Sequence, residues 1–317
     1  MKVDALVFSD AHRCDVASYD LPTELGRGEV LLRNRLGLIS PGTELAIFCR
    51  THRGFEVEGH WARYPYYPGY CSVAEVVAIG ERVTSLQPGD RVVHQANHST
   101  YARQPADAVV KVGDALRDER AVFLKMLGIA LTPQLLAPLR FGEAATVFGL
   151  GMVGNLASQL CREAGAFPIV SVDPVASRVE MAYACGLEHA RTDRDARTAS
   201  YVIEAAGVAA AFRDALAAVE PDGRVVVLSS PREQVQIDPY FDIHHRGVQV
   251  IGAHEWRRGR QQRAPYDPFL EHLLTTERVH VDPLVTHRVA FADAQRAYEG
   301  LRDHPEAWLG VLLEYPQ

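Results

Sequence analysis

Between residues 144 and 173 the spacing of apolar positions changes twice. Residues 145–148 form a short unbroken apolar run, and Val153, Leu156, Ala157, Leu160 and Cys161 then recur at three- and four-residue intervals. Residues 169–172 return to an unbroken run, closed by Asp173. A short apolar run bounded by glycine reads as a buried strand, and the three-and-four spacing reads as a helix with one apolar face. The segment therefore predicts strand, turn, helix, strand. The alternation continues downstream, with helices predicted over 176–185 and 209–219 and strands over 201–205, 225–229 and 248–252. The Pro221-Asp222-Gly223 turn stands before the second of these strands. Strands alternating with helices imply a parallel sheet with right-handed crossovers.

The flanks have a different texture. Residues 1–110 show short period-two runs broken by glycine and proline, predicting strands over 3–8, 29–36, 74–79, 91–94 and 108–112, with turns at 25–28 and 87–90. This pattern suits a mostly β domain, a partly open barrel. Residues 52–70 carry no period but hold Phe55, Trp61, Tyr64, Tyr66, Tyr67 and Tyr70. A loop of that length inside a compact domain is functional or mobile, and its aromatics serve either as a floor for a sugar or flat ring or as packing for the loop itself. Residues 118–136 become helical, with Val122, Leu127 and Ala130 on the apolar stripe. The tail predicts helix 268–275, strand 286–290, helix 291–301 and strand 309–313, returning to complete the first domain. The expected division is 1–117 with 258–317 as the β domain, and 118–257 as the parallel-sheet domain inserted into it.

The turn at the centre of the opening segment carries chemistry. Gly149-Leu150-Gly151-Met152-Val153-Gly154 stands between a predicted strand and a predicted helix, the context that gives such a fingerprint meaning. The first glycine permits the tight turn, the second admits a pyrophosphate to the backbone, and the third lets the helix pack on the strand. Unpaired N–H groups at the helix start face the anion. The expected ligand is a dinucleotide. Asp173 lies roughly 20 residues beyond, where a carboxylate accepts from ribose hydroxyls and repels a 2′-phosphate, which favours NAD over NADP. Arg178 argues the other way if it pairs with a 2′-phosphate, and otherwise stacks beside the adenine or sits in solvent.

Composition narrows the partners. The chain has 317 residues, 47% hydrophobic and 23% charged, with net charge −7 and a pI near 6.0. An acidic balance argues against nucleic acid as the main partner, and no apolar run approaches the ~20 residues a membrane span needs. The opening MKVDALVFSD reads as an edge strand, so a cytoplasmic protein acting on a small molecule is expected. Cys14, Cys49, Cys71, Cys161 and Cys185 are odd in number, widely spaced and free of any CxxC pair, which suits reduced thiols better than a disulfide framework or a structural zinc lobe.

The motifs Leu38-Ile-Ser-Pro-Gly-Thr-Glu44, Tyr67-Pro-Gly-Tyr-Cys71, Ala74-Glu-Val-Val-Ala-Ile-Gly80, Pro88-Gly-Asp-Arg-Val92, the glycine fingerprint, Ile203-Glu-Ala-Ala-Gly207 and Pro221-Asp-Gly-Arg-Val225 follow one another at telling spacings. In this order the chain resembles the medium-chain dehydrogenases and reductases over nearly its whole length. The resemblance implies an α/β fold, with a Rossmann doubly wound domain inserted into a GroES-like catalytic domain. It implies that Ala206, Gly207, Ser229, Ser230, Ala253 and His254 help form the cofactor pocket, with the last four around the nicotinamide carboxamide. It also implies a homodimer paired through the edge of the Rossmann sheet.

The family pattern breaks at the metal. Zinc-dependent members carry a Gly-His-Glu segment, where this chain has Gly69-Tyr70-Cys71, and a cysteine where it has Ser40-Pro41. A third ligand, also a cysteine, falls within a residue of Lys125. No catalytic zinc is expected, since zinc favours thiolate, imidazole or carboxylate. Lys125, one of three lysines and set inside an apolar run, either places its ammonium near the missing metal charge or snorkels to the surface. Tyr70 is a candidate acid or base, His98 a candidate imidazole near the mouth of the site, and Ser40 and Thr43 a candidate hydroxyl relay. Glu44 is read as fixing the turn. The arginines 257, 258, 260 and 263 either receive a substrate anion or form a solvated loop. The reading is a zinc-independent, NAD-linked oxidoreductase interconverting a secondary alcohol and its ketone on a polar ring-bearing substrate. An NAD(P)H-dependent enone or quinone reductase, or a non-catalytic NAD(H)-binding redox module, are the alternatives.

Overall fold

Fifteen strands, numbered along the chain, organise two units in the computed structural model, which describes residues 1–193, 198–255 and 264–316. One unit is Met1–Lys125 with Val285–Gln317, and the other is Met126–Leu284.

The first unit begins with the hairpin β1 (Lys2–Asp10) and β2 (Arg13–Asp20). Next come β3 (Glu29–Leu38), β4 (Ser72–Ile79), β5 (Arg91–His94), β6 (Tyr101–Pro105) and β7 (Val110–Lys111). The C-terminal return adds β14 (Val285–Ala290) and β15 (Gly310–Glu314), giving a seven-stranded sheet in the order β14-β15-β3-β4-β5-β7, with β6 also on β3. β3 is central because its ten residues are long enough for β6, at residues 29–33, and β15, at residues 36–38, to share one edge while β4 pairs along the other. The short helix Thr43–Phe48 stands where the sequence predicted only a turn. Its apolar face, with helix Ala294–Asp303, closes a core of Phe8, Ile39, Ile47, Phe48, Tyr298 and Leu313. Tyr298 sits edge-on to Phe8 at 4.8 Å and stacks on Phe48 at 5.4 Å.

The second unit carries β8 (Ala145–Phe148), β9 (Ile169–Val172), β10 (Ala190–Arg191), β11 (Ala199–Glu204), β12 (Val219–Val227) and β13 (Gln249–Gly252). All pairs are parallel, in the order β10-β9-β8-β11-β12-β13. Apolar clusters pack on the sheet, among them one around Val202, Ala215 and Val225 and one around Leu150, Val179 and Leu187. This is the doubly wound architecture expected. Among the described residues no helix is long and apolar enough to cross a membrane.

The expected boundary at 257/258 is placed instead at Leu284/Val285. Helix Asp267–Thr275 buries Leu270, Leu273 and Leu274, and the segment after it is tied to the helix Met152–Glu163. Gln159 donates to the His280 carbonyl at 2.9 Å and accepts from its N–H at 2.7 Å, and Arg278 pairs with Glu163 at 2.5 Å. The first boundary lies at Lys125/Met126, so residues 118–125 belong with the β unit. Asp118 holds them there, accepting from Arg35 and Arg91 at 2.7 Å each.

Candidate active site

Four of the five residues proposed for proton chemistry meet in the first unit. Tyr70 donates its hydroxyl to Ser40 Oγ and is hydrogen-bonded to Thr43. Lys125 Nζ lies 5.7 Å from the Tyr70 ring centroid, within cation–π range. At 5% exposure Lys125 is buried, so the snorkelling reading does not hold. Gly69, with φ +106°, delivers Tyr70 to this place: a Cβ there would fall 2.4 Å from the backbone nitrogen of His98. Burial pushes the Tyr70 phenol well above its ordinary range, aided by Cys71 and Glu44 and opposed by the hydrogen bonds to Ser40 and Thr43. At neutral pH Tyr70 is therefore a proton donor rather than a phenolate base.

His98 requires a correction. It is not at a rim but fully buried, with Nδ1 3.0 Å from the Tyr315 hydroxyl and Nε2 3.4 Å from Glu44 Oε2. The strand pairing explains this, because the His98 N–H donates to the Pro68 carbonyl and its carbonyl accepts from Leu6 of β1. Glu44 does more than fix a turn. Its Oε1 accepts from the Ser40 N–H at 2.9 Å and its Oε2 from the Tyr298 hydroxyl at 2.6 Å, so one buried carboxylate sets the backbone that carries Ser40. Tyr298 and Tyr315 were missed because both come from the far end of the chain. His94 is buried and neutral, its pKa lowered to about 3 by burial and then by His98, with Nε2 2.6 Å from Asn34 Oδ1.

The aromatic loop splits into two parts. Phe55, Tyr64 and Tyr66 pack against the core, and the Tyr64 hydroxyl donates to the Ile47 carbonyl at 2.5 Å, so these rings are structural. Trp61 and Tyr67 remain 42% and 43% exposed. The four arginines at 257, 258, 260 and 263 lie outside the described residues.

The predicted cofactor residues gather at the carboxyl ends of the second unit's strands. Gly149, with φ +94°, follows β8, and a Cβ there would lie 2.7 Å from the Ala206 nitrogen. Gly154 packs so tightly that a Cβ would sit 1.8 Å from the Gly149 carbonyl oxygen, whereas one on Gly151 would meet nothing within 4 Å. Gly151 caps the helix Met152–Glu163, whose first turn holds Met152 and Val153. Asp173 accepts from the Leu150 N–H at 2.7 Å through Oδ2 and from the Val175 N–H at 2.9 Å through Oδ1. Each oxygen keeps a lone pair for a ribose hydroxyl. Arg178 lies on the following helix, Ala176–Ala184. Ser229 and Ser230 follow β12; Ala253, whose N–H donates to Val227, and exposed His254 follow β13. Open space over a helix start, two crowded glycines around it and an acid at the next strand end fit a dinucleotide.

Residues 26–129 match the family described as the alcohol dehydrogenase GroES-like domain, and residues 152–270 the family described as zinc-binding dehydrogenase. The chain is a medium-chain dehydrogenase/reductase of the alcohol dehydrogenase-like type. This oxidoreductase is 23% identical to the D-xylulose reductase of Saccharomyces cerevisiae, over 85% of its own length and 88% of the relative. It is 25% identical to the L-threonine 3-dehydrogenase of Pectobacterium carotovorum, over 89% and 91%. In fold it is similar to ECK1772 of Escherichia coli, an oxidoreductase/dehydrogenase of unknown specificity, with a TM-score of 0.86, 19% identity and full coverage of both chains.

The zinc named for the second family does not suit this oxidoreductase's donor set. Where zinc-dependent members are expected to carry ligands, it presents Ser40, Tyr70 and Lys125; the two hydroxyls bond each other and the amine faces the ring. None of the three is an ordinary zinc ligand. Among the described residues no three of His, Cys, Asp or Glu are grouped to hold a metal ion.

Proposed function

We propose that this oxidoreductase interconverts a secondary alcohol and its ketone with NAD(H), on a polar, ring-bearing or polyol-like substrate, and that side chains rather than zinc handle the substrate oxygen. The observation that carries the proposal is the grouping of buried Lys125 and Ser40 with half-buried Tyr70 at the positions where the family pattern expects metal ligands. When bound, the nicotinamide supplies or removes hydride at the substrate carbon. In the reductive direction Tyr70 gives its proton to the carbonyl oxygen as that oxygen gains negative charge, and the Lys125 ammonium stabilises the charge until transfer is complete. Ser40 and Thr43 hold the phenol in line. In the oxidative direction the same proton returns to the phenolic oxygen.

The choice of NAD rests on Asp173, a carboxylate held by two backbone N–H groups after β9, where an acid favours ribose hydroxyls and repels a 2′-phosphate. The dehydrogenases named among the relatives supply the polyol-like class. The test follows reduced-nicotinamide absorbance with D-xylulose, sorbitol, L-threonine and 2R,3R-butanediol, using both coenzymes. With the best substrate of that panel, Lys125→Met is expected to lower kcat about 100-fold or more. Near-normal turnover by Lys125→Met removes the role assigned to the lysine. A homodimer paired along β13, the outermost strand of its sheet with Gln249, Val250 and Gly252 exposed, belongs to the same reading and is checked by light scattering.

A further inference from the structure

Glu204 was read from the sequence only as part of a motif, yet it closes β11 fully buried and joins two loops. Its Oε1 accepts from the N–H groups of Ala206 at 2.8 Å and Gly207 at 2.7 Å, and its Oε2 accepts from the Ser229 hydroxyl. Its backbone carbonyl also accepts from the N–H groups of Leu228 at 2.8 Å and Ser229 at 3.0 Å. The loop leaving β11 and the loop leaving β12 are thus tied through one residue, by main chain and side chain together. All three side-chain partners donate, which matches a carboxylate that only accepts.

The strand order explains why this place matters. From β8 the chain runs outward through β9 and β10 on one side, and returns to build β11, β12 and β13 on the other. Ligands of open parallel sheets bind at such a reversal, outside the carboxyl ends of the strands. The glycine turn after β8 and Asp173 after β9 belong to the first side, which suits the adenosine end of a dinucleotide. Ala206, Gly207 and Ser229 belong to the second side, which leaves them the nicotinamide end. Glu204 sits at the seam, in register with Phe148 of β8 and Val227 of β12. The turn also leans on the loop it holds, through the close approach of Gly149 to Ala206.

We propose that Glu204 is a positioning residue for the nicotinamide half of the bound dinucleotide, holding the 206–207 loop and Ser229 in the geometry that receives it. The inference rests on the nicotinamide-dinucleotide reading of the glycine turn. It requires no contact between Glu204 and the cofactor.

Two probes separate this role from simple support of the fold: NADH, and ADP-ribose, which keeps the adenosine half and lacks the nicotinamide. Both are titrated by calorimetry into the wild type, Glu204→Gln and Ser229→Ala, with the thermal midpoint of each protein measured alongside. If the phosphorylated coenzyme binds the wild type more tightly, NADPH and 2′-phospho-ADP-ribose take their places. Glu204→Gln is expected to bind NADH about tenfold more weakly, as when a charge-assisted hydrogen bond is degraded, with ADP-ribose affinity changed less than about twofold. Ser229→Ala is expected to move NADH in the same direction by less, and it decides the matter if Glu204→Gln does not fold. Equal losses on both probes, or no loss on NADH, overturn the proposal. A wild type that binds neither probe instead refutes the dinucleotide reading beneath it, and the proposal falls with it.

Discussion

The glycine turn allows a test in which stability and binding move in opposite directions. In Gly151→Ala the new methyl meets nothing within 4 Å, and the backbone there, at φ −60° and ψ −179°, is open to any residue. The substitution therefore adds no strain and removes freedom from the unfolded chain, which stabilises by about 0.4–1 kcal/mol. The same methyl occupies the space through which a pyrophosphate reaches the N–H groups at the start of helix Met152–Glu163. Displacing the anion forfeits one or two charge-assisted hydrogen bonds at roughly 1.5–3 kcal/mol each, or about 10- to 100-fold and more in Kd. Gly154→Ala is the counterpart. Its Cβ would lie 1.8 Å from the Gly149 carbonyl oxygen and 3.1 Å from Ala205 Cβ, so backbone must move, and overpacking of this kind costs about 1–3 kcal/mol or more. Thermal unfolding and NADH fluorescence titration on both variants are the assays. The expected pattern is a stable, poorly binding Gly151→Ala and an unstable, poorly binding Gly154→Ala. A Gly151→Ala protein that binds the dinucleotide like the wild type refutes the assignment of the turn.

Tyr70→Phe is expected to lower ketone-reduction kcat about 100-fold or more with little change in KM. Because burial raises the Tyr70 phenol above its ordinary value of 10.0, wild-type reduction should not lose this donor as pH rises to 10, and an earlier loss attributable to Tyr70 would contradict the assignment. For His94 the folded pKa is depressed, from 6.5 to about 3. Its contribution to stability is present above pH 6.5 and is lost as pH falls from there toward 3, because the unfolded chain takes up the proton first. Urea midpoints at pH 7, 5 and 4 should fall less steeply in His94→Gln, and parallel curves would show that His94 does not drive the acid limb. Ser40→Ala leaves the Glu44 contact to the backbone N–H intact and removes only the acceptor for Tyr70. It should reduce kcat while leaving the thermal midpoint near that of the wild type.

What was readable from residues alone follows physical range. The strand-turn-helix-strand unit is local: its apolar periods and three glycines lie within thirty residues, and its strands fall at Ala145–Phe148 and Ile169–Val172. β2 was missed because Arg13–Asp20 is largely exposed and owes its extended form to pairing with β1. β6 was missed for a similar reason, being five residues held by β3. Lys125, Tyr70, Ser40 and Thr43 stand out as departures from the family's motif order, and the fold brings them together. His98 was misplaced because nothing near it in sequence announces Tyr315 or Glu44 as neighbours. Tyr298 and Glu44 are 254 positions apart, a separation at which no local period speaks. Glu204 had a signal that went unused. Like Asp173, it is a single acid closing an apolar strand, and an acid in that position must find donors when it is buried.

Zinc content measured on the same active preparation that turns over substrate tests the central claim most directly. Full activity is expected with zinc far below one per chain, unchanged by a strong chelator. One zinc per chain, with activity lost on chelation and restored by adding the metal back, would contradict it.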